Sequence, residues 1–273
     1  MNGYPFLRRA LFVLCLFALA GIAYGQARQG AQFEPQVGQA GKDVVWVPTP
    51  QELVNKMLDL AKVTAQDYII DLGSGDGRTV ITAAKRGARA LGIEYNPDMV
   101  ELSKRNAAKE NIGARASFAK ADLFESDFSQ ASVITMFLLP DINLKLRPKI
   151  LDLKPGTRIV SNTFTMGDWK ADETSSVTEN CLSWCTALLW IVPAKIAGTW
   201  RLAQGELRLN QTFQEFSGTL AMAGNTMTIT DGKIRGDEIS FTAGGTYTGR
   251  VAGNTISGTV KSGANTSNWR ATR

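Results

Sequence analysis

Between residues 44 and 192, short apolar runs alternate with stretches in which apolar positions recur every three or four residues. The runs read as strands and the periodic stretches as amphipathic helices. The first ordered segment, 44–47, is not assigned to a strand or helix and ends at Pro48-Thr49-Pro50, where Thr49 fits a helix N-cap with proline at the first helical position. Leu53, Met57, Leu58 and Ala61 then mark the buried stripe of that helix. Further strands are predicted at 68–70, 89–93, 116–121, 132–139, 158–161 and 187–192, and helices at 79–85, 97–109 and 143–153. The polar, acidic stretch 168–180 reads as a surface excursion or a short hairpin partner. Regular alternation of this kind implies a parallel sheet with right-handed crossovers.

At Gly198 the pattern changes. Helical periodicity disappears, and short alternating runs are cut by Gly224-Asn225, Asp231-Gly232, Gly244-Gly245 and Gly253-Asn254, which are hairpin-turn pairs. Phe216-Ser-Gly218 leading to Gly224-Asn225 resembles Tyr247-Thr-Gly249 leading to Gly253-Asn254, an imperfect internal repeat of a two-strand unit. The segment 198–273 is therefore expected to form a small antiparallel sheet or half-barrel, a packing or interaction module without chemistry of its own. The fold class is α/β with a small C-terminal all-β domain.

The stretch Asp71-Leu-Gly73-Ser74-Gly75-Asp76-Gly77-Arg78 sits between the first long strand and its helix. Strand, glycine-dense turn and helix together open a nucleotide-binding sheet. Glycines supply dihedrals closed to other residues and let the backbone approach a ligand. A phosphate loop would end Gly-Lys-Ser/Thr, which this one does not. Acids at both 71 and 76 also sit poorly with an NAD fingerprint.

Composition narrows the chemistry. The 273 residues are 44% apolar and carry a formal charge of +5, with no concentrated basic block. Preference for anionic partners is thus weak at most, which counts against nucleic acid. Histidine is absent, removing the commonest general base and metal ligand. No metal site is expected.

The N-terminus has the layout of a secretory signal: Arg8-Arg9, an apolar core over 10–23, and the small residues of Ala23-Tyr-Gly25 before Gln26. The core falls short of the ~20 residues of a spanning helix, so an uncleaved anchor is the lesser alternative. The expectation is a signal peptide over 1–25, a flexible spacer over 26–43, and an exported, periplasmic protein. Export would leave Cys181 and Cys185 in an oxidising compartment. On a strand, residues four apart lie ~13 Å from each other, beyond the ~7 Å limit for a bridge. A disulfide therefore requires a turn at 181–185; two free thiols are the alternative.

Candidate ligand contacts lie at the strand ends. Glu94, about 20 residues beyond the glycine turn, is placed to take both ribose hydroxyls of an adenosine group. Tyr95 beside it can cover an adenine face. Asp71, buried at a strand end, would favour a cationic ligand over an anionic one.

Taken together, residues 44–193 resemble the class I, seven-β-strand methyltransferases that use S-adenosylmethionine (SAM). More closely they resemble the lysine methyltransferase family that includes the enzyme acting on the c-ring protein of ATP synthase, and its bacterial relatives. The resemblance rests on Val47-Pro48-Thr49-Pro50, Asp71 to Arg78, Gly92-Ile-Glu-Tyr-Asn-Pro97, Asp122-Leu123-Phe124 with Asp127-Phe-Ser129, and Arg158 to Phe164 with Trp169. It implies a Rossmann-like methyltransferase domain over 44–197 and SAM as cofactor. Gly73, Ser74, Gly75 and Gly77 would form the cofactor loop, with Pro48 and Thr49 over the methionine end. Asp122 would take the adenine amino group, and the Leu123 backbone N–H would serve the ring. The acceptor end is open: Pro140, Asn162 and Trp169 are candidate catalytic residues, with Phe137 and Phe164 nearby. The sequence leaves the oligomeric state open.

These features support methyl transfer to a protein lysine. Two alternatives stand beside it. One is an exported scaffold that kept the fold without turnover, motivated by the export signal. The other is a small-molecule methyltransferase whose β tail shapes the substrate pocket.

Overall fold

The computed structural model describes residues 33–273. The expected signal segment 1–25 lies outside the described residues.

A seven-stranded sheet with four helices forms the first part of the fold. Its strands are β1 (Tyr68–Leu72), β2 (Arg89–Glu94), β3 (Ala116–Lys120), β4 (Val133–Met136), β5 (Arg158–Asn162), β6 (Glu173–Ser176) and β7 (Thr186–Ile191). Its helices are α1 (Gln51–Leu60), α2 (Arg78–Lys85), α3 (Pro97–Lys109) and α4 (Pro140–Leu151). The strand order is β3-β2-β1-β4-β5-β7-β6. The first five strands in that order run parallel. Sequence order reverses between β1 and β4, so the crevice for a ligand lies beyond their carboxyl ends.

The far edge departs from the all-parallel expectation: β7 runs antiparallel to both β5 and β6. The link from β6 to β7 is a short loop, not a crossover helix, and only an antiparallel pair can be joined that way. The polar stretch 168–180 thus supplies a hairpin partner. The loop carries a Cys181–Cys185 disulfide with Cα atoms 5.8 Å apart, which satisfies the turn requirement.

Helix starts follow local chemistry. Asn96 caps α3 by accepting from the Asp98 N–H at 2.9 Å, with Pro97 at the first turn. Helix α4 begins at Pro140, earlier than the apolar pattern implied. Helix α1 begins at Gln51 with Pro50 at the cap and no side-chain cap bond, so Thr49 is not its N-cap. The Thr49 hydroxyl instead accepts from Asn162 Nδ2 at 3.3 Å.

The sheet is buried on both faces. Leu53, Val54, Met57 and Leu58 of α1 pack with Ile69, Val80 and Val133 on one face; Leu146 and Ile150 of α4 pack with Ile70, Ile134 and Ile159 on the other. Near-continuous burial explains why the strands read as unbroken apolar runs.

Residues 198–273 close into an eight-strand antiparallel barrel, β8 (Gly198–Leu202) to β15 (Asn265–Thr272), more complete than the half-barrel expected. Closure comes from β15 pairing with β8 at Ala271↔Leu202 and Thr272↔Arg201. Alternating residues such as Leu207, Leu209, Phe241, Tyr247 and Trp269 fill the interior. Phe216 and Tyr247, equivalent in the repeat, both point into this core. The barrel is tied to the sheet edge by the Arg235–Glu173 ion pair, by Gln214 Nε2 donating to the Lys170 carbonyl at 2.8 Å, and by Phe213 stacked on Trp169 at 5.8 Å.

Candidate functional site

The turn after β1 is shaped by Gly73 and Gly75, at φ 76° and 55°. A Cβ on Gly75 would lie 2.7 Å from Trp46 Nε1, so only glycine lets Trp46 lie over the turn. The N–H groups of Gly73 and Ser74 both donate to the Ile93 carbonyl, at 2.9 and 3.0 Å, which locks the loop onto β2. Ser103 and Asn106 of α3 hold the loop from outside through the carbonyls of Gly75 and Asp76. The Arg78 guanidinium grips Asp76 and donates to the Thr49 carbonyl at 2.8 Å, joining the Pro48-Thr49-Pro50 segment to the loop.

Beyond the strand ends lies a cavity of about 210 Å³. The carboxylates of Asp71, Glu94 and Asp122 all line it, as do Pro48, Thr49, Gly73, Ser74, Gly75, Tyr95 and Leu123. Each acid has a distinct setting. Asp71 is buried, accepts from Thr135 Oγ1 at 2.6 Å, and is pushed up to about 7 by loss of hydration, with Asp76 and Glu94 adding repulsion. Glu94 accepts the Gly75 N–H at 3.0 Å and the Asn96 N–H at 2.9 Å, one on each oxygen, leaving lone pairs for a ligand. Asp122 accepts the Phe124 N–H at 2.9 Å and pairs with Lys42; the hydrogen bond to Lys42 holds its carboxyl below the usual range.

The structure separates the expected site residues into two groups. Gly77 does not line the cavity: a Cβ there would strike Phe118 and Ser103, so this glycine serves packing against β3 and α3. Trp169, a candidate catalytic residue, is fully buried between Trp190 and Phe213 and belongs to the core. Pro140 is exposed at the start of α4 and lies outside the cavity lining. Asn162 is also outside the lining; buried, it holds the Thr49 hydroxyl, while its own Oδ1 has no protein partner.

Among the other lining residues, Phe137 and Phe164 were expected near the acceptor end, whereas Lys42 and Trp184 had no local signal in the sequence. The spacer assigned to 26–43 is folded from Gln36 onward: Gly38 N–H donates to the Trp46 carbonyl at 2.8 Å, and Trp46 N–H returns to the Gln39 carbonyl at 2.9 Å. This strap carries Lys42 to Asp122 and over the Tyr95 ring, 4.9 Å from its centroid. At the other end of the cavity stand Phe137, Phe164 and Trp184, with ring centroids 5.8 Å apart for the first pair and 5.9 Å for Phe137 and Trp184. The Cys181–Cys185 spacing allowed a bridged turn or two free thiols in this region, and nothing marked Trp184 as reaching the crevice. No lining residue comes from 198–273, so the barrel does not shape this cavity.

The chemistry of this donor set fits an adenosyl sulfonium. Glu94 offers paired acceptors for vicinal hydroxyls, Asp122 an acceptor for an exocyclic amine, and Asp71 a buried carboxyl that a cation would favour in its ionised form. A mixed seven-stranded sheet whose parallel strands end at this crevice defines a class I SAM-dependent methyltransferase. The sequence profile described as the ANTKMT methyltransferase domain matches residues 71–173. A protein-lysine N-methyltransferase of Saccharolobus islandicus is 41% identical over 152 residues, covering 55% of this chain and 94% of that protein. The lysine N-methyltransferase of Homo sapiens named for the c-type subunit of ATP synthase is 37% identical over 128 residues, 46% of this chain, and the chain spans only 54% of its length. A crystal structure of an RNA methyltransferase from Salinibacter ruber with S-adenosylhomocysteine (SAH) shares 45% identity at a TM-score of 0.51, over 55% of this chain and 96% of that one. The chain belongs to the family of class I methyltransferases that includes these lysine methyltransferases, and its cofactor is SAM.

Proposed function

We propose that the protein methylates a lysine side chain of a protein partner. The observation that carries this reading is the 41% identity along nearly the whole of a protein-lysine N-methyltransferase. The cavity geometry is in keeping with it, since the end away from Glu94 and Asp122 is walled by aromatic rings.

When bound, SAM supplies a methyl carbon activated by its positive sulfur. Asp71, Glu94 and Asp122 would hold the cofactor, and the Gly73–Gly75 turn would admit it close to the backbone. The protein's part in an in-line displacement is chiefly alignment. Arg78 contributes by fixing Thr49 to the loop, and Asn162 by fixing the Thr49 hydroxyl. An acceptor lysine, with a reference pKa of ~10.4, must arrive or become neutral before its lone pair can attack.

Incubating the full chain with methyl-labelled SAM and cell-envelope protein, then mapping the label by mass spectrometry, tests the proposal. Methyl-lysine in a protein band supports it; label found only in RNA or in small molecules refutes it. The RNA outcome is the second reading, favoured by the name of the Salinibacter ruber neighbour. The modest charge of +5 argues against it.

We further propose that the chain is exported. The N-terminal pattern and the Cys181–Cys185 bridge support this, because disulfides persist in oxidising compartments. N-terminal sequencing of the mature protein with cell fractionation tests it, and an unprocessed cytosolic product would overturn it.

A further inference from the structure

Two of the three aromatic residues between β5 and β7, Phe164 and Trp184, reach the cavity through unusual backbone. Phe164 is turned inward by a tight three-residue turn in which its N–H donates to the Asn162 carbonyl at 2.6 Å, with Thr163 between them at φ 58°. Trp184 itself sits at φ 54°. Positive φ is costly for a β-branched or bulky residue, and such strain persists only where surrounding structure enforces it. Burial does not enforce it at Trp184, which is 41% exposed. The constraints that remain are the Val177 N–H, which donates to the Cys185 carbonyl at 3.0 Å, and the Cys181–Cys185 bridge, which encloses Trp184 in a short loop and leaves its ring against Phe137. Leu182, in the same loop, is fully exposed, so the loop is not folded around its own apolar core.

Phe137, Phe164 and Trp184 therefore place a cluster of aromatic rings along a cavity that Asp71 also lines. Aromatic faces attract alkylammonium groups, most strongly at tryptophan. The chain already shows such a pairing at the cavity's other end, where the Lys42 ammonium lies over Tyr95. We propose that Phe137, Phe164 and Trp184 form the acceptor subsite for an alkylamine side chain, with the Cys181–Cys185 bridge positioning Trp184 over it. The amine class rests on the lysine reading above. The bridge's positioning role does not.

The test uses the full chain saturated with SAH, and butyltrimethylammonium as probe, with its neutral tert-alkyl isostere as control. Calorimetry is expected to show the cation binding more tightly than the isostere. Trp184→Ala is expected to weaken cation binding roughly 10-fold, the order of one tryptophan–cation contact. Trp184→Phe should restore most of it. Opening the bridge, either by Cys181→Ser with Cys185→Ser or by a phosphine reductant on the unmodified chain, should mimic Trp184→Ala while SAH affinity changes less than twofold. The reductant arm does not depend on a variant folding. Cation binding that ignores both Trp184 and the bridge overturns the proposal, as does a parallel loss of SAH affinity. Equal binding of cation and isostere, still dependent on Trp184, overturns the amine class and leaves the positioning role. Failure of the lysine reading is separate: it would appear as absent methyl-lysine beside intact, Trp184-dependent probe binding.

Discussion

Replacing Asp71 by asparagine isolates the charge at the base of the cavity. Asparagine keeps an oxygen for Thr135 Oγ1, which donates to Asp71 Oδ1 at 2.6 Å, and removes only the titration. In the folded protein this carboxyl titrates near 7, against 3.8 for the exposed group, because burial strips its hydration. The folded state therefore retains a proton that the unfolded chain has already released between pH 3.8 and about 7. Stability must fall with rising pH across that window, by roughly 1.4 kcal/mol per unit, and level off above it. Between pH 5 and pH 8 the loss is about 2–3 kcal/mol by this linkage. Asp71→Asn should abolish that part of the slope, so the variant's advantage over the parent grows by this amount. Urea unfolding followed by helical circular dichroism reads it, since among the described residues all four α-helices belong to the sheet domain.

The same carboxyl should discriminate the two forms of the cofactor. SAM carries positive sulfur and SAH does not, so only SAM gains from an ionised Asp71. With a pKa of about 7, the ionised fraction rises about 10-fold from pH 6 to pH 8. The SAM-to-SAH affinity ratio should rise by up to that factor in the parent and stay flat in Asp71→Asn. Taking the ratio cancels titrations common to both ligands. A flat ratio in the parent, or equal stability slopes in the two proteins, would refute the reasoning.

Other substitutions separate the remaining roles. Glu94→Gln leaves one of the Gly75 and Asn96 N–H groups facing an amide donor, at about 1–3 kcal/mol. Calorimetry should then show SAM and SAH affinities falling alike by roughly 10- to 100-fold, and a loss confined to SAM would contradict the ribose role. Lys42→Ala removes the ammonium that occupies Asp122 and covers Tyr95, so SAH should bind several-fold tighter, and weaker binding would show that the strap assists the cofactor. Trp169→Ala should cost about 3–5 kcal/mol of stability through the cavity it leaves, while kcat per folded molecule changes little; a large kcat loss at unchanged stability would restore Trp169 as a catalytic residue.

The sheet was readable because its signals are local. Apolar runs alternate with helical stripes, and Asp71, Glu94 and Asp122 each stand where a parallel strand ends, so topology alone brings them to one edge. What escaped reading depends on pairing between distant residues. Barrel closure joins Ala271 to Leu202 across the whole segment, and no hairpin signal reports such a contact. The stretch 168–180 reads as a surface excursion or a hairpin partner, and pattern alone does not choose between them because β6 is a polar edge strand of four residues. Trp169 looked like a site residue because it follows β5 after Asn162 and Phe164, but the chain turns away and Phe213 of the barrel seals it. Lys42 lay in a glycine-rich stretch without periodicity, and its partner is 80 positions away.

The two ends of the cavity are encoded differently, and this bears on specificity. The carboxylates and glycine turn of the cofactor end come from turns directly attached to β1, β2 and β3, within the segment 71–173 shared with the family, and Lys42, Pro48 and Thr49 join them from upstream. Trp184 lies beyond that segment, in a loop that needs an intramolecular bridge to hold its shape. A fixed crevice at the strand ends requires the shared residues to keep their geometry, because they anchor backbone: Glu94 through Gly75 and Asn96, Arg78 through Thr49. The loop at 181–185 is held to the end of β6, where the Val177 N–H donates to the Cys185 carbonyl at 3.0 Å, and can vary without disturbing the cofactor end. Differences in acceptor among family members should therefore concentrate at this loop and at the residues following β4 and β5, with the glycine turn unchanged.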